Sequence, residues 1–223
     1  MNGEAALALW AAAFPATHLL LSHPFRAPLV RRLGAGGFMA LYSLVALLCL
    51  WGMSEAYKAL SGAPHLFDPL PFWWPVSLVT WFAMVLFAGS LRGNPALPQP
   101  DADKIAARPV GGVYAITRHP MMWGFALWAL SHMVINPTLP SWMVSTSILF
   151  TALLGAAGQD VKKRKLMGEA WKDWQARTSF WPFAKGFAHP GAFALILGTL
   201  LFLAVTWAHG WLGAYPTGLW RLL

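Results

Sequence analysis

Six stretches of the chain are long and almost wholly apolar: residues 4–23, 38–57, 72–93, 120–136, 139–159 and 190–210. A hydrocarbon layer of about 30 Å takes about 20 apolar residues of α-helix. The pattern therefore predicts an all-α, polytopic membrane helix bundle with about six transmembrane helices. Helix-breaking residues fall between the stretches. Glycines at 34, 36 and 37 precede the second, Pro71 precedes the third, and Pro120 opens the fourth. Pro137 and Pro140 part the fourth from the fifth, and proline is tolerated in a helix's first turn. Residues 160–178 follow a different rhythm, with Leu166, Ala170, Trp171 and Trp174 on one side and Lys and Glu on the other. That spacing predicts an amphipathic interfacial helix, or a lid over the cytoplasmic mouth. No repeat and no Gly/Ser linker divides the chain, so residues 1–223 read as one domain. The first stretch is read as a retained helix, because no cation precedes it and no A-x-A cleavage site follows.

Composition agrees: 57% of residues are hydrophobic, 11% are charged, and the mean hydropathy is +0.52. These values exclude a disordered chain and an ordinary soluble enzyme. The one cysteine, Cys49, excludes an intrachain disulfide, a Cys-rich zinc site and an iron–sulfur cluster. A net charge of +8 on a soluble protein would suggest nucleic acid. Here the placement of the charges gives another reason. Of the 16 Lys and Arg residues, taking Arg92 as the boundary of the third stretch, all but Lys58 and Arg221 lie in the loops after the first, third and fifth stretches. Cytoplasmic loops collect Lys and Arg, so both termini are expected outside the cytoplasm. The expected partner is the lipid bilayer, with no nucleic acid. Trp73, Trp74, Trp142, Trp181, Trp211 and Trp220 lie near helix ends, where indoles favour the membrane interface.

The Gly34–Gly37 cluster lacks the spacing of a dinucleotide site, and no hydrolase, P-loop or zinc-protease motif is present. His18 and His132 are the informative titratable residues, because each lies within a predicted span. Ionisable residues in lipid tend to face the bundle interior and mark a site; the plainer alternative is an imidazole bridging two helices. At 1.5 Å per residue His18 lies roughly 7–8 Å from the inner end of its helix, and His132 roughly 18–20 Å along its own. Only helix tilt would let both flank one large planar cofactor. His23 and His119, at the two inner helix ends, are the fallback pair. Gly124, Phe125, Trp128 and Ala129 share the face of His132, the small ones leaving room and the aromatic ones forming walls, unless they simply pack on a neighbouring helix. Trp10, Phe14 and His18 form a second stripe. Arg118, at the start of the fourth span, and Arg26 could hold carboxylates or phosphates, or could be ordinary cytoplasmic flanking charge.

These residues resemble the NnrU family of bacterial membrane proteins. The resemblance rests on His18-Leu-Leu-Leu-Ser22, Arg26-Ala-Pro-Leu-Val-Arg-Arg-Leu-Gly34, Leu41-Tyr-Ser-Leu-Val-Ala46, Thr117-Arg-His-Pro-Met-Met-Trp-Gly124, Trp128-Ala-Leu-Ser-His132 and Arg177-Thr-Ser-Phe-Trp-Pro-Phe183. It implies a bacterial inner-membrane protein with a role in denitrification or nitric oxide metabolism. The family is similar to the zeta-carotene isomerases, which carry haem b on histidine ligands. That likeness implies haem b held by His18, with His23 a nearby fallback, and by His132, with an isomerase-like activity on a lipophilic polyene as the other expected role. Ala129 stands where the isomerases have a cysteine, which removes a thiolate ligand. The Arg118-His119-Pro120 segment also resembles isoprenylcysteine carboxyl methyltransferases, which bind S-adenosylmethionine. This chain has Met121-Met122 where they have a tyrosine, and Gln159-Asp160 where they have a glutamate pair. A haem-free assembly factor is the remaining alternative.

The charge asymmetry predicts that reporter fusions at Leu223 and within residues 162–165 report opposite sides of the membrane. Both reporting one side would contradict the six-span reading.

Overall fold

The computed structural model describes residues 2–211 and 217–222, which leaves Leu223 outside the described residues. Among these the fold is all helical. Helix α1 (Gly3–Ser22) opens where the Asn2 side chain accepts the Ala5 N–H at 2.8 Å. It is followed by α2 (Arg26–Lys58) and α3 (Trp73–Ser90), the latter preceded by a single 3-10 turn at Leu70–Phe72. Two short helices, α4 (Ala102–Ala106) and α5 (Val113–Ile116), lead to α6 (Pro120–Ile135). Then come α7 (Leu139–Met167), α8 (Glu169–Arg177) and α9 (Ala192–Trp211), with a final 3-10 turn at Gly218–Leu222.

Each apolar stretch lies in a helix, but three boundaries differ from the sequence pattern. The basic segment before residue 38 is helical rather than a loop: α2 starts at Arg26 and kinks at Gly34, where φ is 73°. The glycine cluster thus bends one element instead of separating two. Helix α7 runs eight residues past the predicted end at 159, to Met167. The expected helix over 160–178 is therefore split. Gly168, with φ 55°, supplies the left-handed conformation that ends α7 and lets α8 turn away. Trp171 and Trp174 of α8 are buried at 0% and 2% exposure, so they face the protein core rather than the lipid interface.

Among the described residues, five segments have the length and apolarity to cross a bilayer: α1, α2, α7, α9 and the Leu70–Ser90 stretch that ends in α3. Helix α6 has 16 residues, about 24 Å at 1.5 Å per residue. It tolerates that length because protein, not lipid, surrounds much of it. The helices α2, α1, α7, α6, α3 and α9 pack side by side in that order, which places α6 between α7 and α3. One apolar core gathers Leu7, Phe14, Cys49 and Met53 between α1 and α2. The larger core joins Val85, Leu86, Tyr114, Ile116, Trp123, Trp171 and Trp174 at the end where the basic residues collect. The unpaired flanks of the row, such as Leu44, Leu47 and Trp51 on α2, are exposed apolar surface suited to lipid.

Small residues set the closest crossings. A Cβ on Gly198 of α9 would lie 2.5 Å from the Val85 Cα of α3. Gly198→Val should therefore cost about 1–3 kcal/mol by overpacking. In a detergent melt this reads as a lower melting temperature. Gly210→Ala, with nothing within 4 Å of the added carbon, should cause no loss. Equal melting temperatures for the two variants would contradict this crossing.

Candidate functional site

The chain reverses sharply between α5 and α6, and its polar groups are consumed there one by one. Thr117 donates its hydroxyl to the Phe180 carbonyl at 2.7 Å. The Arg118 N–H reaches the Ser179 carbonyl at 2.8 Å, and the Trp123 indole N–H reaches the Phe180 carbonyl at 2.8 Å. The Phe183 N–H returns to the Ile116 carbonyl at 3.0 Å. Residues 178–183 thus form a strap across the start of α6. Pro120 fits the first turn of α6 because its missing N–H is not needed there.

Beneath the strap lies a buried ionic cluster. Arg118 donates from Nε to both Asp160 oxygens at 3.0 Å and from Nη2 to Oδ2 at 2.6 Å. The Nε2–H of His119 donates to Asp160 Oδ1 at 3.0 Å. Exposure of the three side chains is 12% for Arg118, 0% for His119 and 8% for Asp160. The Arg118 guanidinium also lies 5.4 Å from the Phe180 ring centre. His119 Nδ1 and the Trp171 indole nitrogen are buried without a hydrogen-bond partner, in rings 6.4 Å apart. Three residues along α7 from that carboxylate, Lys163 is also buried and donates to the Pro95 and Leu97 carbonyls at 2.9 and 3.2 Å. Burial pushes the Tyr114 hydroxyl well above the usual phenol range, so it stays a donor to the Ser90 and Arg92 carbonyls. This cluster ties α6, α7, the strap and the loop after α3 together.

The sequence-predicted residues separate into distinct places. Arg118 is committed to Asp160, while Arg26 stands at the start of α2 over the Phe38 ring, at 5.7 Å. His119 also serves Asp160, and His23 packs on Gly158. Positions 158 and 160 point to different sides of α7, so the fallback pair is not joined. Gly124 does not open space beside His132: a Cβ there would lie 2.9 Å from the Ala83 carbonyl oxygen of α3. Ala129 is fully buried, and Phe125 packs against Phe87 at 5.5 Å.

His18 is half-buried beside Phe14 and Tyr42, with ring centroids at 4.2 and 5.1 Å and Nδ1 bonded to the Phe14 carbonyl at 2.8 Å. His132 bonds the Trp128 carbonyl through Nδ1 at 2.9 Å, and its ring lies 4.0 Å from that of Trp128. The structure does not bring these two together. Ser141 donates to the His132 carbonyl, which sets His132 level with the start of α7. His18 lies five residues before His23, which sits against Gly158. The axial offset is therefore roughly 12–18 Å. Two imidazole nitrogens on one metal lie only about 4 Å apart. His18 and His132 as arranged do not fit one iron.

The ring that does approach His132 belongs to His209 of α9, with centroids 6.5 Å apart. Its Nδ1 is likewise bonded to its own backbone, the Val205 carbonyl, at 2.7 Å. Both rings thus keep Nε2 uncommitted, the state in which histidine binds metals. The chemistry of this donor pair fits a group that takes two imidazoles. Sequence reasoning missed Asp160, Lys163 and His209. Only the packing supplies their partners, so no local pattern singles them out.

Asp160→Asn keeps the shape and removes the charge, leaving a buried guanidinium unpaired. The expected cost is about 3–5 kcal/mol, a fall in melting temperature of roughly 10 °C. Glu169→Gln, in an exposed pair with Lys172, should change it little. Equal effects of the two substitutions in a detergent melt would contradict the buried cluster.

Comparison with curated proteins and with solved structures gives no match. The NnrU protein family matches residues 6–216, nearly the whole chain and every element of the site. The chain belongs to the NnrU family.

Proposed function

We propose that the chain is a haem b protein of the bacterial inner membrane, with both termini periplasmic, that serves nitrogen-oxide respiration. The observation that carries this reading is the His132–His209 pair, with its 6.5 Å separation and two uncommitted Nε2 atoms. An imidazole ring centre lies about 1 Å behind a nitrogen bonded at about 2 Å, so two rings on one metal have centroids roughly 6 Å apart. His132 would hold the haem, as the family resemblance implies, and His209 would take the place expected of His18. The Trp128 and Val205 carbonyls accept the Nδ1–H groups and so fix the tautomer and orientation of each ring. Held by two imidazoles, haem b would supply one-electron chemistry there. That property favours electron transfer in nitrogen-oxide metabolism over isomerisation of a polyene. The Arg118 fork, filled by Asp160, speaks against a methyl-donor site at the Arg-His-Pro segment.

The test is the visible spectrum of protein purified in detergent from haem-replete cells. Wild type should show a low-spin Soret band. His132→Ala and His209→Ala should each change the spin state or remove the haem, while His18→Ala and His65→Ala should do neither. A wild type without a Soret band would overturn the haem. Loss in His18→Ala with an unchanged His209→Ala would overturn the pair.

A further inference from the structure

At the basic end of the row, a cleft of about 320 Å³ opens between the end of α3, the start of α9, α8 and the loop before α5. Its lining includes Arg92, Arg108, Gly112, Trp174, Phe193 and Ala194. Among the described residues neither arginine has a carboxylate partner: the ion pairs there involve Lys58, Lys104, Arg118, His119, Lys172 and Arg177. Arg92 is held 5.6 Å above the Phe193 ring, beside the first turn of α9. That helix has 20 residues. The N–H groups of its first turn, at Ala192, Phe193 and Ala194, have no acceptor within the helix and carry its positive dipole end. Trp174 adds an independent sign: its side chain is 2% exposed, and its indole N–H is buried with no acceptor. Two cations, a helix N-terminus and an unsatisfied N–H meet at one cleft.

We propose that this cleft binds the phosphate of an anionic phospholipid. A phosphate ester offers several strong acceptor oxygens, which match guanidinium forks and first-turn N–H groups. The cleft lies where two apolar helices end, at headgroup depth for a bilayer surrounding the row. Phe193, Ile196 and Leu200 leave it along one exposed face of α9, at 43%, 63% and 58% exposure, a track for an acyl chain. That track favours a lipid over inorganic phosphate, which presents the same oxygens.

The experiment titrates the full-length protein in detergent with dihexanoyl phosphatidylglycerol and follows the melting temperature. Native mass spectrometry counts the retained lipid as a second readout. Phosphatidylglycerol should give a saturable rise, and dihexanoyl phosphatidylcholine, which lacks net charge, should give none. The double variant Arg92→Gln/Arg108→Gln should raise the half-saturating concentration about tenfold or more. Arg31→Gln/Arg32→Gln, which removes the same charge from α2, should leave it unchanged. An unaltered response in the Arg92/Arg108 variant, or an equal loss in the Arg31/Arg32 variant, would overturn the proposal. Saturation by inorganic phosphate at the same concentration would overturn the lipid as its source.

Discussion

One carboxylate organises the basic end of this bundle. Asp160 stands where α7 leaves its apolar stretch, and it accepts from Arg118 and His119 at once. A buried carboxylate is costly unless charge and hydrogen bonds compensate it. Its two partners are adjacent residues at the start of α6, so the ion pair fixes that helix against α7. The strap over 178–183 is then drawn across the same turn by backbone bonds to Ile116 and Arg118. Trp171 and Trp174 seal the cluster from the α8 side, and Lys163 secures the loop after α3. The short α6 is thereby held between α3 and α7, where its missing length meets protein instead of lipid.

The two ends of the bundle do different physical work. At the basic end the charges are buried and paired, or gathered around the cleft with the α9 N-terminus. At the opposite end the Lys58–Glu55 ion pair is exposed, and polar contacts between elements are neutral: Asn136 donates to the Tyr57 hydroxyl at 2.8 Å, and Trp142 donates to the Met133 carbonyl. His132 and His209 lie at this end, on helices that both flank α3. Their imidazoles retain unused lone pairs, in contrast to His119, whose Nε2 is spent on Asp160.

The helices were legible because burial in lipid writes itself as uninterrupted apolar runs, and those runs match α1, α3, α6 and α9 within a few residues. Boundaries set by tertiary contact were not. Gly34 bends α2 instead of ending it, and α7 continues through Lys162–Lys165 because Asp160 and Lys163 find partners on other elements. Family membership was legible in the motifs around Arg118 and His132. The ligand geometry was not: His132 meets His209, some 77 residues on in the chain, through packing on α3 that no local pattern encodes. Gly124 shows the same limit, since a small residue reads as cofactor space from one helix and as a helix crossing from two.

The account depends most on the buried Arg118–Asp160 pair, and a double-mutant cycle tests it directly. Arg118→Gln, Asp160→Asn and the double variant would be melted in one detergent. If the pair is formed as described, each single substitution leaves a buried partner stranded, and the double variant is no less stable than either single one. Losses that simply add in the double variant would show that the two side chains do not meet, and the lock at the basic end would fall with them.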